Sequence, residues 1–148
     1  MIRIVCVGNL KEKYLVDAQN EYLKRIKKYD KIEVIECKES TLSPFKLALD
    51  EEAKEINRHL KGYVILLAIK GVQLESESLA KKIESIKTNG DSDITFVIGS
   101  SNGLSDNVKG NFNLSFSLMT FPHQLARIIL LEQIYRAYSI LNNSPYHK

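Results

Sequence analysis

One continuous apolar run, residues 63–69 (YVILLAI), with a second, mostly apolar run at 94–98 (ITFVI), sets the tightest limit on how this chain can fold. A strand that faces water on one side alternates apolar with polar residues. A short run that is apolar throughout fits a strand covered on both faces, the central member of a parallel sheet. The rest of the chain supplies the partners such a sheet needs. Residues 2–7 form a third, β-branched run closed by Gly8, and residues 32–37 alternate apolar with charged positions, as a less buried strand does. A short strand is expected over 112–116. Between these lie stretches with helical spacing. Tyr14, Leu15, Ala18, Tyr22 and Ile26 recur at three- and four-residue steps within 11–28, and Leu79, Ile83 and Ile86 share a face within 76–87. Pro44 opens another helix to about Leu60. Phe121 and Pro122 lead into the longest apolar helix, to about Leu141. Alternating strands and helices predict an α/β fold, a mainly parallel sheet flanked by helices. With 148 residues and no repeat or linker, one domain over 1–148 is expected. Gly71 is expected to stop the 63–69 strand, and a helix to begin near Leu104.

Ligands of such folds bind beyond the carboxyl ends of the strands, which directs attention to 67–71, 99–103 and 118–123. The loop GSSNGL (99–104) offers backbone N–H groups, because Gly99 and Gly103 permit close approach. It is neither GxGxxG nor a P-loop, and a plain strand-to-helix turn would look the same. The segment 115–123 (SFSLMTFPH) sets serines, a threonine and a histidine among apolar residues, a composition able to wall in an adenine ring. It also reads as a helix start with Thr120 as cap. On the last helix Glu132 precedes Arg136 by four residues, the favourable order for an intrahelical pair. Arg127 stands among apolar neighbours and is a candidate for phosphate or base contact. The polar tail ending Tyr146-His147-Lys148 would ordinarily fray, yet it carries groups able to stack on a base and accept a proton.

Charge and cysteine content narrow the classes further. A formal net charge of +3 permits a phosphate-bearing partner without requiring one. The lysine-rich first helix reads as a solvated face, or as a phosphate-contacting one if the partner is RNA. Cys6 and Cys37 have no neighbouring ligands at metal spacing, so neither a metal nor a disulfide is expected. The first residues do not read as a signal peptide and no apolar run approaches a membrane span, so a cytoplasmic protein with no membrane association is expected. Leu125, Ile128, Ile129, Leu131, Tyr135 and Tyr138 make the last helix apolar over more than a narrow stripe, which suggests a dimer interface. The residues alone leave two other readings open, a non-catalytic RNA-binding module and a nucleotide-binding protein using GSSNGL for phosphate.

The strings VGNLKEKY (7–14), VIGSSNGL (97–104), LSFSLMTFPHQLAR (114–127), EQIYRAY (132–138) and PYHK (145–148) together resemble the ribosomal RNA large subunit methyltransferase H family of the SPOUT superfamily. The resemblance covers essentially the whole chain. It implies an α/β SPOUT fold with a deep C-terminal trefoil knot, a homodimer, and S-adenosylmethionine as cofactor. It further implies methylation of N3 of a pseudouridine in helix 69 of 23S ribosomal RNA, within the assembled ribosome. Carried over residue by residue, Leu67, Gly99 and the loop Phe116, Ser117, Leu118, Met119, Thr120 and Phe121 would bind the cofactor. The family often has two glycines where this chain has Gly99-Ser100. Tyr146 and His147, with Arg127, would serve the reaction at the base, and the tail would act either in the site of its own subunit or in that of the other.

Overall fold

The computed structural model describes residues 1–146. Strands β1 (Ile2–Val7), β2 (Ile32–Cys37), β3 (Tyr63–Gln73), β4 (Ile94–Ile98) and β5 (Phe112–Ser115) alternate with helices α1 (Lys13–Ile26), α2 (Phe45–Arg58), α3 (Ser76–Thr88) and α4 (His123–Leu141), except between β4 and β5. The strands form one sheet in the order β2-β1-β4-β3-β5, with every neighbouring pair parallel. The expected α/β architecture is present, and the alternating strand 32–37, expected to be less buried, lies at an edge of the sheet.

The two faces of the sheet are covered unequally. Ile4, Phe96 and Ile65 point into a core shared with α1, α3 and α4. Val5, Val97 and Val64 point the other way, against Ala53 and Ile56 of α2. This is why β1 and β4 are apolar at nearly every position: each side chain has a helical layer to enter, and a fully buried Val, Ile or Phe is worth about 1.5–3 kcal/mol.

Three local expectations are corrected. Gly71 does not end β3; the strand runs on to Gln73 through an irregularity, because Leu67 and Val72 both pair with Leu114 and residues 68–71 bulge out. Gly71 is required there by space, since a Cβ would lie 2.7 Å from the Asn113 carbonyl oxygen. No helix begins near Leu104. Ser105 Oγ donates to Asp50 Oδ1 at 2.6 Å and accepts the Asn107 N–H at 3.0 Å, and such local side-chain bonds compete with helical ones. The β4–β5 connection therefore crosses β3 as an irregular segment, pinned where Asn111 exchanges bonds with the Val64 backbone. Thr120 does not cap α4; the cap position is Pro122, with no side-chain bond.

α4 runs against the strand direction. Its first turn sits at the carboxyl edge of the sheet, where the Lys11 N–H donates to Gln124 Oε1 at 2.9 Å. Its last turns reach the amino edge, where Tyr138 Oη donates to Asp30 Oδ2 at 2.6 Å and Lys87 pairs with the same carboxylate.

Candidate functional site

At the carboxyl edge, β3, β4, β5 and the start of α4 surround an open cleft of about 1420 Å³. One wall is the β3 bulge, Ala68 to Lys70. A second is the turn after β4, where the Gly103 N–H donates to the Ser100 carbonyl at 2.9 Å and Gly103 adopts φ +93°. Gly99 must lack a side chain, because a Cβ there would lie 2.3 Å from the Gly103 carbonyl oxygen. The third wall is the loop from β5 to α4. Its shape is set by two serines: Ser115 Oγ lies 2.8 Å from the Ile69 carbonyl and 3.0 Å from that of Ser117, and Ser117 Oγ accepts the Met119 N–H at 3.0 Å. These bonds hold the loop open, with Leu118 78% and Met119 72% exposed.

The cleft gathers most of the residues singled out in the sequence. Leu67, Gly99, Phe116, Ser117, Met119, Thr120 and Phe121 all line it, although they come from three strands' ends. Leu118 belongs to the same loop, but its side chain is not part of the wall. Ser100, where the resembled family often has glycine, lines the cleft with its Oγ buried and without a hydrogen-bond partner among the described residues. Lys70, Asp106, Lys109 and His123 also line it. Lys70 and His123 fall in the segments expected at the carboxyl edge, whereas Asp106 and Lys109 carry no motif of their own and only the path of the β4–β5 connection finds them.

Arg127 is placed differently from the expectation. It is 1% exposed and turned away from the cleft. Its Nη1 donates to Glu36 Oε2 at 2.6 Å and Gln19 Oε1 at 3.2 Å, and its Nη2 to the Gly8 carbonyl at 3.1 Å. Its Nε has no partner among the described residues. A guanidinium so enclosed cannot reach a base; it ties the first turn of α4 to β2, α1 and the turn after β1.

The Glu132–Arg136 pair forms as expected, at 2.7 Å, and it receives the tail. Tyr146 Oη donates to Glu132 Oε2 at 2.8 Å, and its ring packs edge-on against Tyr135 at 4.5 Å. Burial, then the bond to Glu132, pushes the Tyr146 hydroxyl well above its ordinary value. Tyr146 thus rests nine residues along α4 from His123, roughly 13 Å at 1.5 Å per residue, outside the cleft of its own chain. His147 and Lys148 lie outside the described residues.

Both cysteines are buried and inert. Burial pushes the Cys6 thiol up to about 12 and the Cys37 thiol to about 11. Among the described residues no group of three or more His, Cys, Asp and Glu is arranged to hold a metal, and no helix is long and apolar enough to cross a membrane.

The family model described as "Predicted SPOUT methyltransferase" matches residues 1–147. Ribosomal RNA large subunit methyltransferase H of Enterococcus faecalis and that of Clostridioides difficile are each 48% identical to this chain, covering 99% of both partners. A Methanococcus maripaludis protein, provisionally given the same name, is 52% identical over the same share. A match of this extent, together with the parallel sheet and the cleft at its carboxyl edge, shows that the chain belongs to the SPOUT methyltransferase family, among the relatives named ribosomal RNA large subunit methyltransferase H.

Proposed function

We propose that the protein transfers a methyl group from S-adenosylmethionine to N3 of a pseudouridine in helix 69 of 23S ribosomal RNA, on the assembled ribosome and in the cytoplasm. The observation that carries this reading is the convergence of Leu67, Gly99 and residues of the loop Phe116 to Phe121 on one cleft, in a chain matched over its length by proteins named ribosomal RNA large subunit methyltransferase H. The cleft suits the cofactor on physical grounds. Leu67, Phe116 and Phe121 offer apolar walls, Gly99 allows backbone contact, and the Ser100 hydroxyl lacks a partner among the described residues. The serine in place of a second glycine leaves the space at Gly99 intact.

S-adenosylmethionine, when bound, supplies an electrophilic methyl carbon. The protein's part is alignment and proton handling. The N3 imide must lose its proton as the methyl arrives, and His147 is the proposed acceptor, because an imidazole is the side chain suited to taking up a proton near neutral pH. Tyr146 stays protonated at neutral pH, so it serves as a donor or a stacking surface and not as a base. Arg127 acts by holding the start of α4 and thereby the cofactor loop.

The working unit in this reading is a homodimer. Leu125 is exposed on α4 and Ile128 and Ile129 are half-buried, an apolar face that a second copy would cover. Because Tyr146 lies outside its own chain's cleft, the tail of one subunit completes the site of the other. A trefoil knot formed by the C-terminal half is part of the same reading.

The test is methyl transfer from radiolabelled S-adenosylmethionine to ribosomes from a strain lacking the protein, with mapping of the product. Label at N3 of a helix 69 pseudouridine is expected. Label confined to another nucleotide would overturn the substrate assignment while keeping the reaction class.

A further inference from the structure

The end of α1 carries a cluster of cations that the cleft does not use. Lys24, Lys27 and Lys28 recur at three- and four-residue spacing, Lys31 follows just before β2, and all four are exposed. The carboxylates around them are already held by other cations: Asp17 by Lys13 at 2.7 Å, Glu21 by Arg25 at 2.7 Å, Glu33 by Arg3 at 2.5 Å, and Asp30 by Lys87. Those four lysines carry one more positive charge than the chain's net +3, so the remainder of the molecule is slightly acidic. The dipole of α1 favours a cation at its carboxyl end, and Lys24 and Arg25 already stand in the last turn. It gives no reason for four neighbouring lysines with no salt-bridge partner among the described residues, which repel one another and weaken the helix end.

The position of the cluster is as informative as its charge. α1 begins beside the cleft, where Lys11 is bonded to Gln124 at the start of α4, and its 14 residues then run to the opposite edge of the sheet. At 1.5 Å per residue α1 is roughly 20 Å long, and the lysines stand at and just past its far end. We propose that Lys24, Lys27, Lys28 and Lys31 form a second contact with the substrate RNA, gripping phosphates at that far end, a helix length from the modified base. The inference rests on the RNA methyltransferase reading above. Phosphate contacts set register and orientation without reading sequence. A grip at this distance selects RNA that extends well beyond the target nucleotide, which gives a chain of modest charge a way to prefer a large folded substrate over a short hairpin.

The test compares the wild-type protein with a Lys24→Gln, Lys27→Gln, Lys28→Gln, Lys31→Gln variant on ribosomes from a strain lacking the protein. kcat and KM for ribosomes are measured across a salt series, with S-adenosylmethionine affinity and thermal stability alongside. The variant is expected to bind the cofactor as the wild type does, keep kcat at saturating ribosomes, and show a KM at least tenfold higher at low salt. Removing one lysine–phosphate pair flattens the log–log salt dependence by about 0.7–0.9, so the slope falls by about 3 if all four lysines engage phosphates. A Lys46→Gln, Lys54→Gln control removes charge from exposed sites on α2 and is expected to leave the slope unchanged. A quadruple variant with wild-type KM and slope overturns the inference while leaving the enzyme's function standing. Wild-type protein that methylates no RNA would instead overturn the parent reading. A Lys28→Cys variant carrying a photoreactive group is expected to crosslink to RNA; crosslinks confined to ribosomal protein overturn the choice of partner.

Discussion

At the amino edge of the sheet, Asp30 accepts the Tyr138 hydroxyl at 2.6 Å and pairs with Lys87, and among the described residues no buried side-chain polar atom there lacks a partner. At the carboxyl edge, Ser100 Oγ and Arg127 Nε are both buried without one among the described residues. The same sheet and the same helix, α4, reach both edges. The difference lies in what each edge is for. A buried donor or acceptor left unpaired costs about 1–3 kcal/mol, and a small domain carries such costs where a ligand or a moving part will relieve them. The amino edge fastens α4; on the cofactor-site reading proposed above, the carboxyl edge holds the Ser100 hydroxyl in reserve for a ligand. Arg127 bridges the two descriptions: it belongs to the carboxyl edge by position, yet its bond to Glu36 fastens α4 as Asp30 does at the other end.

Glu36→Ala should produce the largest effect and asks whether Arg127 truly fastens. It would leave a guanidinium 1% exposed with only the neutral acceptors Gln19 and Gly8. Removing one partner of a buried pair costs about 3–5 kcal/mol, and the low end applies because Glu36 itself is partly open to water. Denaturant unfolding measures this. Adding Arg127→Met should recover most of the stability, since the uncompensated charge goes with it, while methyl transfer stays low because the tie to the Gly8 carbonyl is also gone. Full activity in the double variant would show that the carboxyl edge needs no such tie.

Gly99→Ala acts on the reserve itself. A Cβ 2.3 Å from the Gly103 carbonyl oxygen forces the turn open. Overpacking of this kind costs about 1–3 kcal/mol, which corresponds to about a tenfold to hundredfold loss of cofactor affinity if the strain falls on the bound state. Calorimetric titration with S-adenosylmethionine measures the loss. Unchanged affinity would remove this turn from the site.

How far the sequence discloses each edge follows from the range of the interactions involved. The runs 63–69 and 94–98 declare strands because an apolar run is a local signal, and the structure has β3 and β4 there; β4 is buried throughout, whereas in β3 only Val64 and Ile65 are, and Ile69 is exposed beside the cleft. The continuation of β3 to Gln73 is hidden, because the bulge at 68–71 breaks the period and its cause is Leu114, distant in sequence. The absent helix at Leu104 depends on Asp50, 55 residues before the Ser105 it binds. The burial of Arg127 depends on Glu36, 91 residues away, so an arginine among apolar neighbours looks like a free contact when it is an anchor. Cleft residues such as Phe116 and Gly99 are legible largely through resemblance to a family; composition alone leaves GSSNGL an ordinary turn.

Asp30→Asn tests the fastened edge and should cost about 1 kcal/mol, since Lys87 can turn to water and the amide oxygen still accepts from Tyr138. Burial alone would raise the Asp30 carboxyl, but Lys87 and Tyr138 outweigh it and hold the group below its ordinary value. Its contribution is therefore present above the unfolded value of about 3.9 and is lost as pH falls through the lower folded value. The stability gap between wild type and variant should be steady near neutrality and close in acid. Cofactor affinity should not change. A gap that widens in acid, or a change in affinity, would contradict the assignment of this edge to structure alone.

Ser100→Ala separates the two edges most sharply, because its consequences for stability and for binding have opposite signs. In the free protein the hydroxyl has no partner among the described residues, so removing it relieves a penalty of about 1–3 kcal/mol at most. The melting temperature should hold or rise by a few degrees, given about 2–4 °C per kcal/mol for a domain of roughly this size. In the bound state the hydroxyl would gain its partner, and losing a bond worth about 0.5–1.5 kcal/mol weakens cofactor affinity by about threefold to tenfold. Tyr138→Phe at the amino edge removes a hydroxyl that already has its partner, so it should lower stability and leave affinity alone. If Ser100→Ala instead lowers the melting temperature without touching affinity, then this hydroxyl is bonded in the free protein, by water, and the carboxyl edge is as fully satisfied as the amino edge.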